Sequence, residues 1–257
     1  MPGTAKLRRL GFPRHGEKLG PAWAIVIAVL YLPFSLLVRI RYRNLERLPQ
    51  QGPVIVVVNH ISHVDPFLVA KMIIDGARRP RFLAKDAIFD VFAVGAAMRG
   101  MGHIPVKRGT VDARQSFAAA IEALRGGGLI VMHPEGTVTR DPDGWPMQGK
   151  TGAARLALLA PDVPVVPIVQ WGVQEQVDLY GRKIKLIPRP RHVLSVGGPL
   201  DLSEFHGTDP TGATLRAATD AIVKRLRHDV AELRGVPAPT GELYKWRRAG
   251  ETPMGTR

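Results

Sequence analysis

His60 and Asp65 stand five residues apart in the run Asn59-His60-Ile61-Ser62-His63-Val64-Asp65-Pro66. These residue types offer an imidazole to act as a base and a carboxylate to orient it and offset its charge once protonated. Five residues along an ideal helix would turn the two side chains roughly 140° apart, so they meet only if the chain turns between them. Pro66 favours such a turn, because proline suits the first position of a helix and Asp65 would precede it. The same residues carry a plain structural alternative, since aspartate ahead of proline is a common helix cap.

The elements that must position this pair are readable from periodicity. Behind the turn Gln51-Gly52-Pro53, the run Val54-Ile55-Val56-Val57-Val58 is continuous, β-branched and apolar, which predicts a buried strand ending just before His60. Further strands are expected at 81–84, 102–106, 129–132, 163–169, 183–187 and 192–196. Helices are expected at 66–75, 88–99, 112–125, 151–159 and 211–234, the third stopped by Gly126-Gly127-Gly128. The alternation predicts an α/β domain whose largely parallel central sheet is flanked by helices. Ligands of such sheets bind beyond the carboxyl ends of strands. His60 follows one expected strand, Arg108 another and Glu135 a third, so one pocket can collect residues far apart in sequence.

Of the 257 residues, 45% are hydrophobic, enough for one substantial core, and the chain divides into residues 1–43, a domain over 44–235 and a basic tail at 236–257. Lys and Arg outnumber Asp and Glu by 36 to 22, giving a net charge of +14 and a pI near 10.7, so the partners are anionic. Nucleic acid is disfavoured by the absence of a zinc-finger spacing, an RRM-like aromatic motif or a heptad-bearing basic helix. Anionic lipid fits better, because the charge lies beside an apolar segment. Ala22 to Val38 is apolar but for Ser35, with Lys6, Arg8, Arg9, Arg14 and Lys18 ahead of it and Arg39, Arg41, Arg43 and Arg47 behind. As a helix it would reach about 25 Å, short of a ~30 Å hydrocarbon core. Basic residues on both sides favour a helical element that dips into one leaflet over a simple span. With no cysteines, disulfides, thiol catalysis and cysteine-ligated metals are excluded.

Three other chemistries have partial signals. Gly144-Trp145-Pro146-Met147-Gln148-Gly149-Lys150-Thr151 matches the phosphate-binding loop G-x-x-x-x-G-K-[ST] of nucleotide hydrolases, but the nearest expected strand ends near Met132, and Trp145 and Pro146 are awkward where amides must wrap a phosphate. His60, His63 and Asp65 supply three ligand atoms for zinc, yet they crowd into one turn. A non-enzymatic basic protein that binds a membrane surface would share the charge pattern. Ser62 beside His60 lacks the G-x-S-x-G elbow of a serine hydrolase, so its hydroxyl is expected to shape the turn or touch substrate.

Asn59-His60-Ile61-Ser62-His63-Val64-Asp65 resembles the N-H-x-S-x-x-D signature of the glycerolipid acyltransferases, the lysophosphatidate acyltransferase family. Three later blocks follow in family order. Phe82-Leu83-Ala84-Lys85 with Gly102-His103-Ile104-Pro105-Val106-Lys107-Arg108 resembles the second, Pro134-Glu135-Gly136-Thr137 the third, and Val163-Pro164-Val165-Val166-Pro167-Ile168 the fourth. The related fold should run from about residue 40 to 235. The chain departs from the pattern at His133, where the family usually has Phe, at Val138, where it has Arg, at Lys107, where an acid is common, and at Asp86-Ala87.

The resemblance implies acyl transfer from acyl-CoA or acyl carrier protein to the sn-2 hydroxyl of 1-acyl-glycerol-3-phosphate, giving phosphatidic acid, with no metal and no cofactor beyond the acyl donor. Glycerol-3-phosphate or another lyso-lipid is the alternative acceptor. His60 would be the general base and Asp65 its partner. Asn59, Ser62, Lys85, Arg108, Glu135, Gly136, Thr137, Arg140 and Lys150 would line the substrate site. Within it Arg108 and Lys150 would meet phosphate, Arg140 would replace the arginine missing at Val138, and Glu135 would tether basic residues or the acceptor head group. His133 is read as a packing substitution. An N-terminal membrane element at the cytoplasmic face of the cell membrane is the expected location.

Overall fold

The computed structural model describes residues 19–31, 38–106, 113–175, 191–207 and 211–246. Its centre is the valine-rich run Val54–Val58 (β2), buried along its whole length, with Leu129–Met132 (β5) parallel on one side and Val165–Trp171 (β6) parallel on the other. Outward from β5 lie Pro80–Lys85 (β3) and then Ile104–Val106 (β4), both parallel. Outward from β6 lie Arg191–Val196 (β7), the single antiparallel neighbour among these pairs, and Arg39–Arg43 (β1), parallel to β7. The order is β1-β7-β6-β2-β5-β3-β4.

Alternation along β2 builds two cores. Val54, Val56 and Val58 face the first, shared with Trp23, Tyr31 and the buried side of helix Asp65–Asp75 (α2). Ile55 and Val57 face the second, shared with Ala113–Arg125 (α4), Gly152–Leu159 (α5) and Gly212–Arg234 (α6). A strand covered on both faces has no polar side to keep, which is why β2 reads as a continuous apolar run. Pro21–Val26 (α1), continued by a π-helical turn at Ile27–Tyr31, and Phe92–Gly100 (α3) complete the first helical layer.

Several expectations are corrected. The boundary placed after residue 43 falls inside the sheet, because Arg39–Arg43 is its edge strand. There Ile40 and Tyr42 alternate with exposed arginines, a period-two signal masked by the charge. The N-terminal helical element also packs on the domain, since Trp23 and Tyr31 are core residues. At the other end the fold continues past residue 235. The Arg227 guanidinium donates to the carbonyls of Gly241 (3.1 Å), Glu242 (3.4 Å) and Pro239 (3.5 Å), and the Gln148 amide donates to the Tyr244 carbonyl at 2.9 Å. The single helix expected at 88–99 is divided into a 3-10 turn, Asp86–Ile88, and α3. The turn folds back so closely that a Cβ on Gly95 would stand 2.0 Å from the Phe89 carbonyl oxygen. The strand expected at 183–187 lies outside the described residues.

Candidate active site

β2 ends at Val58, and the chain turns once before α2 begins at Asp65. The turn is closed by the Asp65 amide donating to the Ser62 carbonyl at 3.2 Å, and the Val64 amide donates to Ser62 Oγ at 3.4 Å. This brings His60 Nδ1 to 2.9 Å from Asp65 Oδ2. The same oxygen accepts the Ile61 amide at 2.6 Å and the Ser62 amide at 2.8 Å. Asp65 therefore points back into the loop it follows. The cap position is Val64, which makes no side-chain cap bond, so the helix-cap reading of Asp65 is set aside.

Burial pushes the Asp65 carboxyl up, while the hydrogen bonds from His60, Ser62 and Ile61 favour its charged form. With the carboxylate ionised, Nδ1 carries the imidazole proton and Nε2 keeps a lone pair. The His60 side chain is 15% exposed and that of Asp65 fully sealed. A base open to a reactant and a carboxylate closed to water is the arrangement that proton abstraction needs.

A second loop holds the His60 backbone on both sides. Glu135 Oε1 accepts the His60 amide at 2.8 Å, and the Thr139 amide donates to the His60 carbonyl at 2.7 Å. Glu135 Oε2 accepts the Met147 amide at 3.0 Å, and Thr139 Oγ1 donates to the Trp145 carbonyl at 2.7 Å. Gly136, at φ +71°, supplies the left-handed residue that lets the loop double back. Burial pushes the Glu135 carboxyl up to about 8, against the two amide bonds that favour its charge. Each oxygen of this buried carboxylate thus accepts a backbone amide, so Glu135 ties the two loops together.

Asn59 is likewise consumed by structure. Its Nδ2 donates to the Gln170 carbonyl at 3.1 Å and its Oδ1 accepts the Gln170 amide at 2.9 Å, so the side chain continues the β2/β6 ladder beyond Val58. Gln170 returns the contact through Nε2 to the Asn59 carbonyl at 3.1 Å, and its Oε1 pairs with His192 Nε2 at 3.2 Å. Burial lowers His192 to about 3, keeping that ring neutral. Asn59→Ala is expected to lower stability by roughly 2–4 kcal/mol, because it strips partners from a buried amide and a buried carbonyl. Urea unfolding of the purified protein checks this, and an unchanged midpoint would show that the ladder extension is dispensable.

The other expected site residues share an edge without converging as closely. β2, β5, β3 and β4 are successive parallel neighbours, so residues at their carboxyl ends lie along one side of the sheet. Lys85 ends β3 and is exposed. Lys150 is exposed ahead of α5, its amide donating to the Pro134 carbonyl at 2.7 Å. Gly136 and Thr137 are half-buried, and Arg140 lies over the Trp246 ring at 5.2 Å. Arg108 lies outside the described residues.

Residues the sequence did not single out do much of the holding. Thr139 gave no signal. Gln170 was visible as the polar interruption of an apolar strand. His133, which the sequence marked only as a packing substitution, holds its ring 4.3 Å from that of His60, and burial with the neighbouring His60 keeps it well below the usual histidine range.

The rival chemistries fare poorly. In the stretch 144–151 the amides of Trp145, Met147, Gln148 and Lys150 are bound to Asp141 Oδ1, Glu135 Oε2, the Tyr244 carbonyl and the Pro134 carbonyl, and Trp145 is buried. A phosphate-binding loop needs such amides free. His63 is exposed and stands outside any tight ligand cluster among the described residues, where the single candidate group is His228, Asp229 and Glu232 on α6.

Fold and turn together define the class: the chain belongs to the Acyltransferase family, whose model matches residues 39–171. Among its relatives is the chloroplastic 1-acyl-sn-glycerol-3-phosphate acyltransferase of Arabidopsis thaliana, 32% identical over 179 residues, covering 65% of this chain and 48% of that protein. The corresponding chloroplastic enzyme of Brassica napus is 32% identical over 134 residues, 51% of this chain and 36% of the relative. The chain thus spans half or less of the length of these relatives. In structure it is similar to the 1-acyl-sn-glycerophosphate acyltransferase of Thermotoga maritima, with a TM-score of 0.59 at 24% identity, covering 88% of this chain and 81% of the other, a likeness of fold.

Proposed function

We propose that this protein transfers an acyl group from acyl-CoA or acyl carrier protein to the sn-2 hydroxyl of 1-acyl-glycerol-3-phosphate, giving phosphatidic acid. The observation that carries this reading is the 2.9 Å contact of His60 Nδ1 with Asp65, which leaves Nε2 as an unprotonated base beyond the carboxyl end of β2. His60 Nε2 takes the hydroxyl proton as the alkoxide oxygen forms a bond to the thioester carbonyl carbon. The tetrahedral oxyanion collapses, the carbon–sulfur bond breaks, and the thiolate leaves with the proton from the imidazolium. Asp65 offsets the imidazolium charge in between. Glu135, Thr139 and Asn59 act through the backbone, fixing where the imidazole starts from. No covalent acyl-enzyme, metal or cofactor is required by this sequence of steps.

The acceptor phosphate would meet Arg108 and Lys150, with Lys85 and Arg140 adding to the positive edge. Val138, buried in the core where the related pattern has Arg, favours a second reading in which glycerol-3-phosphate or a phosphate-free lyso-lipid is accepted. Among the described residues no helix is long and apolar enough to cross a membrane, and we place the protein on the membrane surface.

The direct test is release of thiol from an acyl donor by the purified protein with lysophosphatidate, a phosphate-free lyso-lipid and glycerol-3-phosphate as acceptors, using both donor types. Stimulation by none of them would remove the assignment. Lys150→Ala and Arg108→Ala are each expected to raise the KM for lysophosphatidate roughly tenfold or more, with a smaller change for an acceptor lacking phosphate. Equal losses on both acceptors would make these residues structural.

A further inference from the structure

The first seven residues of α3, Phe92-Ala93-Val94-Gly95-Ala96-Ala97-Met98, contain no polar side chain. A helix apolar on all sides belongs inside protein or lipid. Here it is on the surface. Phe92 is 92% exposed, and Val94, Val91 and Ile88 are exposed beside it. Next to α3 lies α1, which with the π-helical turn that continues it is uncharged and exposes Ile25 and Val29. The two helices pack together: a Cβ on Gly100 would stand 2.9 Å from that of Ala22, and Trp23 Nε1 donates to the Met101 carbonyl at 3.1 Å. Their outward side chains form one ledge, of the kind that marks an interaction surface.

We propose that this ledge, led by Phe92, inserts into one leaflet of an anionic bilayer; the choice of occupant rests on the acyl-transfer reading, which requires a lipid acceptor. Charge permits it: the ledge itself is uncharged between Asp90 and Arg99, the flanking Lys85, Asp86, Asp90 and Arg99 balance, and the chain as a whole carries +14, which draws it to an anionic surface. Length limits the depth. At 1.5 Å per residue α3 spans only about 14 Å, and α1 with its π-helical turn about 16 Å, roughly half of a ~30 Å hydrocarbon core.

Position favours it. The ledge emerges from the carboxyl end of β3, on the edge where His60 leaves β2. Rings also connect α1 to the base: Trp23 to His103 at 5.5 Å, His103 to Phe82 at 5.4 Å, Phe82 to His133 at 6.3 Å and His133 to His60 at 4.3 Å. A lipid held at the ledge would therefore lie on the same edge of the sheet as the base.

The full chain has no cysteine, so Phe92→Cys accepts a single NBD fluorophore, and Glu122→Cys, on the exposed surface of α4 in the opposite layer, provides the control. Vesicles of phosphatidylglycerol and phosphatidylcholine are expected to shift the emission at 92 to the blue and brighten it several-fold, with quenching by a spin label near the head groups. The control label should stay water-like. Phe92→Asp should reduce vesicle binding in flotation roughly tenfold or more, while turnover on monomeric short-chain acceptor stays within about twofold. A label at 92 that remains in water on vesicle-bound protein overturns the proposal. So does a blue shift that appears without lipid, whether from chain covering the ledge or from contact between copies as concentration rises. Insertion without acyl transfer on any acceptor would sustain the ledge and remove only the catalytic assignment.

Discussion

His60→Ala is expected to remove nearly all turnover while leaving thermal stability close to that of the wild type. The ring is partly open to solvent, and Asp65 Oδ2 keeps the Ile61 and Ser62 amides without it. Asp65→Asn is the sharper experiment. An amide cannot offset the imidazolium: with its oxygen held at the Oδ2 position by the Ile61 and Ser62 amides, it keeps the Nδ1 contact but loses the charge that stabilises the protonated ring. General-base catalysis contributes about 10² to 10⁴ in rate, and a kcat loss in that range is expected with little change in KM. A helix-capping role predicts otherwise, because Asn caps nearly as well as Asp. Near-normal kcat for Asp65→Asn would sink the proposed dyad.

Glu135→Ala is expected to produce the largest combined loss of stability and activity. Two buried amides, those of His60 and Met147, lose their acceptor at once. An unsatisfied buried donor costs about 1–3 kcal/mol, so a total of roughly 2–6 kcal/mol is expected, read as a lowered denaturation midpoint. Freeing the His60 backbone also misplaces the base, and a shift on the order of 1 Å can cost about 10² in rate. If Glu135 served the acceptor head group instead, KM would rise and the midpoint would stay. A pH series gives a second readout. The folded-state value of about 8 lies above the ordinary 4.5, so the proton on Glu135 favours the fold. That contribution is fully present below about pH 4.5 and is lost as pH rises through about 8. Melting temperatures of the wild type should decline across this window more steeply than those of Glu135→Ala, and parallel profiles would mean that Glu135 titrates normally.

The sequence by itself determined the frame of this protein. Val54–Val58, β-branched, behind a turn and interrupted by nothing polar, predicted a buried strand. The alternation of such runs with helical periods predicted a largely parallel α/β sheet, and with it the edge where His60 and Glu135 both lie. The spacing of His60 and Asp65 marked the pair, and Pro66 marked the start of α2. These signals were legible because β-branching, period and proline geometry act over a few residues.

Tertiary structure decided what each polar group does. Whether Asp65 caps α2 or turns back to His60 depends on where the strand end and helix start are held. Glu135 reaches an amide 75 residues away and Asn59 a strand 111 residues away, contacts for which the local chain carries no preference. Arg39–Arg43 becomes an edge strand because β7 offers it hydrogen bonds, although its charge reads as a membrane flank. The apolar sequence of α3 suited a core helix, and only the packing of α1 beside it shows that its Phe92 face is left outside. A buried amide or carbonyl must find a partner wherever the fold brings one, so pairing over long sequence separations is set by the assembled layers and not by neighbours in the chain.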